Sequence, residues 1–155
     1  RPKMNPLDIY QKALDIVSNS VLAGDFDTYA AQIDLPYLIL TYNGRHLITQ
    51  REDLRATFDA LARGLASRGV THCERIARDA DYVGRDRIEG RHFTHLIAEG
   101  ERIQHPKAVR QTIVRRGERW LFSDTCYPID APVWPVDDKT IFAPDAIALP
   151  GKGVA

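Results

Sequence analysis

The chain has 155 residues, of which 44% are hydrophobic and 27% are charged. This composition and length are those of one globular domain, which excludes a disordered or a fibrous protein. Lys and Arg together number 21, as do Asp and Glu, so the chain lacks the net positive charge that attracts nucleic acid or an anionic membrane.

Two helices are predicted at the start of the chain. Asn5 is a good capping residue and is followed by a proline, which suits the first helical position. Apolar residues then recur at intervals of three and four as far as Gly24, so the first helix covers about residues 6–23. Asp25 can cap a shorter second helix, which Pro36 is expected to end.

A hairpin and a third helix are predicted next. The segment 37–42 is rich in aromatic and branched residues, and Asn43-Gly44 behind it is a strong signal for a tight hairpin. Thr49 and Glu52 have the spacing of a capping box, which predicts a helix start. An apolar stripe continues this third helix until Gly69.

Extended segments follow the third helix. They are predicted near residues 70–78, 86–99, 107–116 and 119–127. The last two are close enough to form a hairpin across Gly117-Glu118, and its register pairs Gln111 with Asp124. One face of this hairpin is then expected to carry Gln111, Ile113, Trp120, Phe122 and Asp124.

A change of composition marks the end of the predicted domain. Residues 128–155 contain five of the nine prolines of the chain, which disfavours further helix or sheet. They also contain many apolar residues. We therefore predict a domain over residues 5–127 and a proline-rich arm over residues 128–155 that packs on the domain or on a partner subunit.

The order of these elements resembles the nuclear-transport-factor-2-like (NTF2-like) or SnoaL-like superfamily. Three segments carry the resemblance, namely Ala23-Gly24-Asp25-Phe26-Asp27, the helix from Glu52 to Leu65, and Gly117-Glu118-Arg119-Trp120-Leu121-Phe122. The resemblance implies an α+β fold with three N-terminal helices packed on a strongly curved mixed or antiparallel sheet. Such a sheet forms a cone with an internal pocket, and members commonly form homodimers.

The resemblance implies a pocket for a small apolar molecule and leaves the reaction open, because the superfamily contains isomerases, dehydratases, cyclases, epoxide hydrolases and proteins without catalytic activity. In steroid-isomerase-like members the catalytic carboxylate corresponds to Thr41 here, the helix-one tyrosine to Val17, and the strand acid to Gln111. The chain therefore departs from that catalytic pattern.

Two polar residues on predicted strands are candidates for acid–base catalysis. Asp124 lies on an apolar strand face, where burial would raise the pKa of its carboxyl into a useful range. The alternative is a carboxylate that is exposed or satisfied by Gln111. His95 alternates with Phe93 and can transfer protons near neutral pH, the alternative being a core histidine bonded to a neighbour.

Aromatic and apolar side chains on the helices and strands are candidates for ligand contact, because they can stack on a flat molecule. The alternative is that they form an ordinary core. They are Tyr10, Tyr29, Tyr37, Phe93, Ile113, Trp120 and Phe122, with Gln111 as an orienting donor.

No metal site and no cofactor are predicted. His92 and His95 point to opposite faces of a strand, and Cys73 and Cys126 lie far apart with no C-x-x-C pair. Nucleotide-binding and serine-hydrolase motifs do not occur. No apolar run approaches the roughly 20 residues of a membrane span, and the N-terminus lacks a signal-peptide layout. We therefore expect a cytoplasmic protein.

Two functions remain open from the sequence. The first is cofactor-free acid–base chemistry, such as isomerisation, dehydration or cyclisation of an apolar cyclic substrate, with Asp124 as the acid or base and His95 as its partner. The second is a homodimer that binds a ligand or partner without catalysis.

Overall fold

The ends of the first two helices lie where their capping residues predict. In the computed structural model, which describes residues 4–142, the Asn5 side chain accepts a hydrogen bond from the Leu7 backbone N–H at 2.8 Å. Gly24 ends the first helix with a φ of 71°, a left-handed conformation that glycine adopts without strain. Asp25 caps the second helix by accepting from the Thr28 backbone N–H at 3.2 Å.

The helices pack on one mixed, curved sheet that does not close into a barrel, which confirms the predicted α+β class and architecture. The helices are α1 (Pro6–Ala23), α2 (Phe26–Ala31), α3 (Glu52–Ser67) and the short α4 (Asp138–Ile141). The strands are β1 (Ile33–Leu40), β2 (Arg45–Ile48), β3 (Val70–Gly84), β4 (Arg87–Ala98), β5 (Glu101–Arg102), β6 (Ala108–Arg116) and β7 (Arg119–Cys126).

Two local predictions are wrong. The capping box of Thr49 and Glu52 does not form, because a turn precedes α3, its N-cap residue is Arg51, and no side chain caps the helix. Pro36 does not end α2 but lies inside β1. The pairing of β1 with β7 is irregular at this point, and a proline is tolerated in a strand where the ladder is interrupted.

The order of strands in the sheet is β2-β1-β7-β6-β4-β3, and β5 pairs with β4. The pairing of β1 with β7 is parallel, whereas β1 with β2, β3 with β4, β4 with β5 and β6, and β6 with β7 are antiparallel. We call the side that packs against α1 and α3 the inner face and the opposite side the outer face.

A β-bulge changes which residues of β7 point inward. Ile113 pairs with Phe122 and Thr112 pairs with Asp124, so Ser123 is an extra residue in β7. A bulge shifts the alternation of side chains by one position. The predicted pairing of Gln111 with Asp124 is therefore wrong, because Gln111 pairs with Thr125.

The core lies between the inner face and the helices, and Tyr10 of α1 is its largest fully buried side chain. The ring of Tyr10 lies directly over Gly90 of β4. A Cβ atom at Gly90 would lie 2.6 Å from two carbons of this ring. The absence of a side chain at Gly90 thus allows the Tyr10 ring to approach the sheet.

The first fifteen residues of the predicted arm pack on the domain. The Ala131 backbone N–H donates to Asn43 Oδ1 at 2.7 Å, and the Ala131 carbonyl accepts from the Thr41 hydroxyl and from His46 Nε2, each at 2.8 Å. These bonds attach the arm to the hairpin of β1 and β2. The domain boundary near residue 127 remains a prediction.

Further along, the arm reaches α3. The ring of Phe142 occupies the space over Gly64 in which a Cβ atom would lie, and the Arg68 guanidinium lies 4.1 Å from the centre of this ring. Residues 143–155 of the predicted arm are outside the described part of the chain, and its predicted contact with a partner subunit remains a prediction.

We expect Gly90→Ala to lower the free energy of unfolding by about 1–3 kcal/mol, because the added methyl group must displace the Tyr10 ring. Urea denaturation followed by far-UV circular dichroism measures this change. Gly84→Ala is the matched control, since its Cβ atom would meet its nearest neighbour at 3.8 Å. Equal stability of the two variants would contradict the close packing of Tyr10 on β4.

Candidate functional site

A cavity of about 120 Å³ lies between α3, the inner face of β3, β4 and β6, and the arm. This volume is close to that of an apolar protein cavity of about 150 Å³ that admits benzene. The cavity is thus large enough for a small ring. Its apolar wall includes Leu61, Leu96, Val109, Val136, Ile141 and Phe142.

Two buried polar atoms of residues that line this cavity have no hydrogen-bond partner within residues 4–142. They are the hydroxyl oxygen of Thr57 on α3 and the indole Nε1 of Trp134 in the arm. Leaving a buried polar group unsatisfied costs about 1–3 kcal/mol, and such groups in native proteins call for an explanation. Both residues contribute to the wall of the cavity.

Arg75 of β3 places a positive charge on the wall of the cavity. Its Nη1 donates to Ser18 Oγ at 2.9 Å and lies 3.7 Å from Cys73 Sγ. Over residues 4–142, no carboxylate forms an ion pair with Arg75, and none of the lining residues in this range is Asp or Glu. Among the residues that the structure describes, no acidic side chain balances the charge of Arg75.

A hydrogen-bonded chain of buried side chains lies beneath α1. Gln111 Nε2 donates to Thr125 Oγ1 at 3.1 Å, which leaves Gln111 Oε1 to accept from the Tyr10 hydroxyl at 3.0 Å. The single hydroxyl proton of Tyr10 is used in that bond. His92 Nδ1, which lies 2.7 Å from the Tyr10 oxygen, is therefore the donor in their contact.

Two tyrosines lie between this chain and the cavity. Thr125 Oγ1 is hydrogen-bonded to the Tyr37 hydroxyl, and Tyr37 lies next to Tyr127, which lines the cavity. Burial is the largest influence on both tyrosines and raises the pKa of each. Their contact raises the pKa of Tyr37 and lowers that of Tyr127.

The histidine at the start of this chain is neutral in the folded protein. Burial, and to a smaller extent the positive charge of Arg75, lowers the pKa of His92 to about 3. A neutral imidazole with its hydrogen on Nδ1 satisfies the direction of the bond to Tyr10. The resulting order of donors runs from His92 through Tyr10 and Gln111 to Thr125.

The two predicted catalytic residues lie on the outer face, away from the cavity. Asp124 is half-buried and pairs with Thr112 and Leu38 on the neighbouring strands. The bulge at Ser123 turns Asp124 outward and brings Thr125 to the inner position. His95 neighbours two cavity-lining residues of β4 in sequence and therefore points outward by alternation. The structure does not place Asp124 or His95 beside the cavity.

The predicted ligand-binding residues lie around the cavity rather than on its wall. Phe93 points outward next to His95, and the Arg78 guanidinium lies 5.8 Å from the centre of its ring. The other residues do not line the cavity. Those buried in the core are Tyr10, Tyr29, Tyr37, Gln111, Ile113 and Phe122, and Trp120 is half-buried at its edge.

Sequence reasoning missed Arg75, Tyr127, Thr57 and Trp134. One signal for Arg75 was present, because in β3 it alternates with Cys73, an apolar residue that faces inward. Within residues 4–142, no group of three or more His, Cys, Asp or Glu side chains has an arrangement that could hold a metal ion. In the same range, no helix is long and apolar enough to cross a bilayer.

Helices packed on the inner side of a curved, open sheet define the cystatin-like class of α+β folds, and the superfamily resemblance noted above is confirmed at the level of the fold. More particularly, the chain has the fold of NTF2-like proteins. No protein-family model and no curated sequence matches the chain, so the comparison is one of structures.

Three solved structures illustrate the similarity. An NTF2-like protein of unknown function from Shewanella oneidensis MR-1 is 9% identical, with a TM-score of 0.59 over 79% of this chain and 98% of its own. A cystatin-like protein of unknown function from Nostoc punctiforme PCC 73102 is 16% identical, with a TM-score of 0.61 over 81% and 92%. A candidate scytalone dehydratase from Novosphingobium aromaticivorans DSM 12444 is 12% identical, with a TM-score of 0.57 over 84% and 94%. These identities show a shared fold.

We expect acid to destabilise the protein through His92. Above its ordinary pKa of 6.5, this imidazole is neutral whether the chain is folded or unfolded. As the pH falls from about 6.5 towards 3, only the unfolded chain takes up the proton, so the free energy of unfolding falls by up to about 1.4 kcal/mol per pH unit.

His92→Asn tests this expectation, because the amide keeps an N–H donor for Tyr10 and does not titrate. Urea denaturation of both proteins at several pH values between about 4 and 7 gives the two slopes. The variant is expected to lose less stability per pH unit. Identical slopes would show that His92 is protonated in the folded protein at mildly acidic pH.

Proposed function

We propose that the protein binds a small, largely apolar ring compound in the cavity between α3, the sheet and the arm. The observation that carries this proposal is the presence of two buried, unpaired polar groups, those of Thr57 and Trp134, on a cavity whose wall is mostly apolar. Ligand sites in proteins combine an apolar lining with a few polar groups that orient the ligand.

The size of the cavity and the position of its polar groups support this proposal. A volume of about 120 Å³ suits a single ring. Thr57 and Trp134 lie on different elements, α3 and the arm, so a ligand that satisfies both would bridge them. One structural neighbour is a candidate scytalone dehydratase, and this neighbour supports the expectation of a small-molecule site in the same fold.

We expect Thr57→Val to raise the free energy of unfolding of the ligand-free protein by about 1 kcal/mol, because the change removes an unsatisfied hydroxyl at nearly constant volume. Thr28→Val is the matched control. It is expected to lower the free energy of unfolding, since the Thr28 hydroxyl donates to Asp25 Oδ2 at 2.6 Å. Urea denaturation measures both changes.

The same variant tests ligand binding with phenol as the probe. Phenol is a single ring with one hydroxyl, and we expect Thr57→Val to weaken its binding about fivefold, since one neutral hydrogen bond is lost. Amide chemical shifts measured by NMR locate the bound probe. If phenol fails to bind at millimolar concentration, or if the shifts lie away from the cavity, the proposed function is wrong.

A second candidate function is acid–base chemistry on the bound ring, which the hydrogen-bonded chain favours. Of the described residues that line the cavity, none is Asp or Glu, so the Tyr127 hydroxyl is the group best placed to donate a proton. The hydrogen-bonded series from His92 to Tyr37 ends beside this residue. The roles predicted for Asp124 and His95 would instead require a substrate on the outer face.

Proton exchange tests the second candidate. Incubation of cyclohexanone with the protein in deuterated water is expected to replace its α-hydrogens faster than buffer does, as measured by NMR. We expect Tyr127→Phe to slow this exchange about 100-fold, within the usual contribution of a general acid or base. Tyr42→Phe is the control, because Tyr42 is exposed on the hairpin. Equal rates for the two variants would exclude Tyr127 as the proton donor.

A further inference from the structure

We propose that the ligand of the cavity is a small cyclic carboxylic acid, bound as its carboxylate by the Arg75 guanidinium and the Tyr127 hydroxyl. This inference rests on the proposed function and adds the charge and chemical class of the ligand. Three features carry it: the positive charge of Arg75, an unoccupied edge of its guanidinium, and a phenolic hydroxyl on the cavity wall.

The first feature is the charge on the cavity wall. Arg75 lines the cavity, and no Asp or Glu within residues 4–142 does so. A charged group next to an apolar cavity is stabilised when an opposite charge accompanies it. Because none of residues 4–142 supplies a carboxylate here, an anionic ligand would balance the charge of Arg75, and a cationic ligand would meet repulsion.

The second feature is the free edge of the Arg75 guanidinium. Its Nη1 bonds Ser18 and contacts Cys73, whereas Nε and Nη2 have no partner among residues 4–142. These two nitrogens form one side of a planar fork whose geometry matches the two oxygens of a carboxylate. The bond to Ser18 restrains the guanidinium from the other side.

The third feature is the Tyr127 hydroxyl. Tyr127 lines the cavity, and burial raises the pKa of this hydroxyl. The phenol therefore carries its proton at neutral pH and can donate to an acceptor in the cavity.

The candidate donors on the cavity wall come from different parts of the fold. Arg75 belongs to β3, Tyr127 follows β7, and Trp134, whose indole nitrogen can only donate, belongs to the arm. A cavity with several donors and an apolar wall matches a molecule with acceptor oxygens at one end and a hydrocarbon ring at the other. A carboxylate on a ring has this form, and the volume of about 120 Å³ limits the ring to one.

The experiment compares benzoate with benzamide, which has nearly the same shape and no charge. Isothermal titration calorimetry at neutral pH is expected to show benzoate binding roughly 10- to 100-fold more tightly than benzamide, the range for a hydrogen-bonded charge pair. In Arg75→Met, the affinities for benzoate and benzamide are expected to lie within about threefold of each other. Arg78→Met, on the same strand but beside Phe93 on the outer face, is expected to preserve the ratio of the two affinities.

The possible outcomes separate the inference from the proposed function. If phenol and benzamide bind in the cavity as tightly as benzoate, the carboxylate assignment is overturned and the proposed function stands. If none of the three compounds binds, both fail. Arg75→Lys keeps the charge without the planar fork, so an intermediate ratio for this variant supports bidentate contact, and an unchanged ratio argues against it.

Discussion

The position of the Gln111 amide is the constraint on which the interior of this protein depends. This side chain is buried on β6, and an amide so placed requires partners on both sides, since unsatisfied polar groups are costly in the core. Tyr10 of α1 supplies one partner and Thr125 of β7 the other. This one side chain therefore determines both how α1 packs on the sheet and how β6 pairs with β7.

The bulge in β7 and the glycine in β4 follow from the same constraint. Without the extra residue Ser123, a carboxylate rather than a hydroxyl would face the amide, and its charge would be buried beneath α1. Gly90 lets the Tyr10 ring approach closely enough for its hydroxyl to reach Gln111 and His92. The polar chain thus depends on a bulge in one strand and a glycine in another.

The sequence predicted the elements well where local chemistry determines them. The bounds of α1 depend on a capping asparagine and a terminal glycine, both readable from neighbouring residues. The fold class followed from the order of the elements. The inward face of β7 was not predictable in this way, because a bulge depends on which partners meet across strands. The bulge shifts the alternation of side chains by one position, so that Thr125 rather than Asp124 faces inward.

The candidate site was harder to predict than the fold, because its polar groups come from α3, β3, the end of β7 and the arm. From the sequence, an arginine on a long strand is expected to be exposed to solvent. Arg75 is partly buried because α1 and α3 pack over β3. The aromatic residues with the clearest spacing form the core behind the cavity. The pattern and spacing of residues in the sequence identify which side chains are buried. The wall of a binding cavity depends instead on which polar groups lack a partner once the elements have packed.

The arm both packs on the domain and supplies part of the cavity wall. Its backbone is attached to the hairpin through Ala131, while Trp134, Val136 and Phe142 contribute side chains to the cavity. Substitutions at these three positions alter the shape of the site without disturbing the polar chain beneath α1. Substitutions in this short peripheral segment can therefore change which molecule the cavity binds during evolution. A protein engineer can vary the same segment to obtain a library of variants with altered specificity.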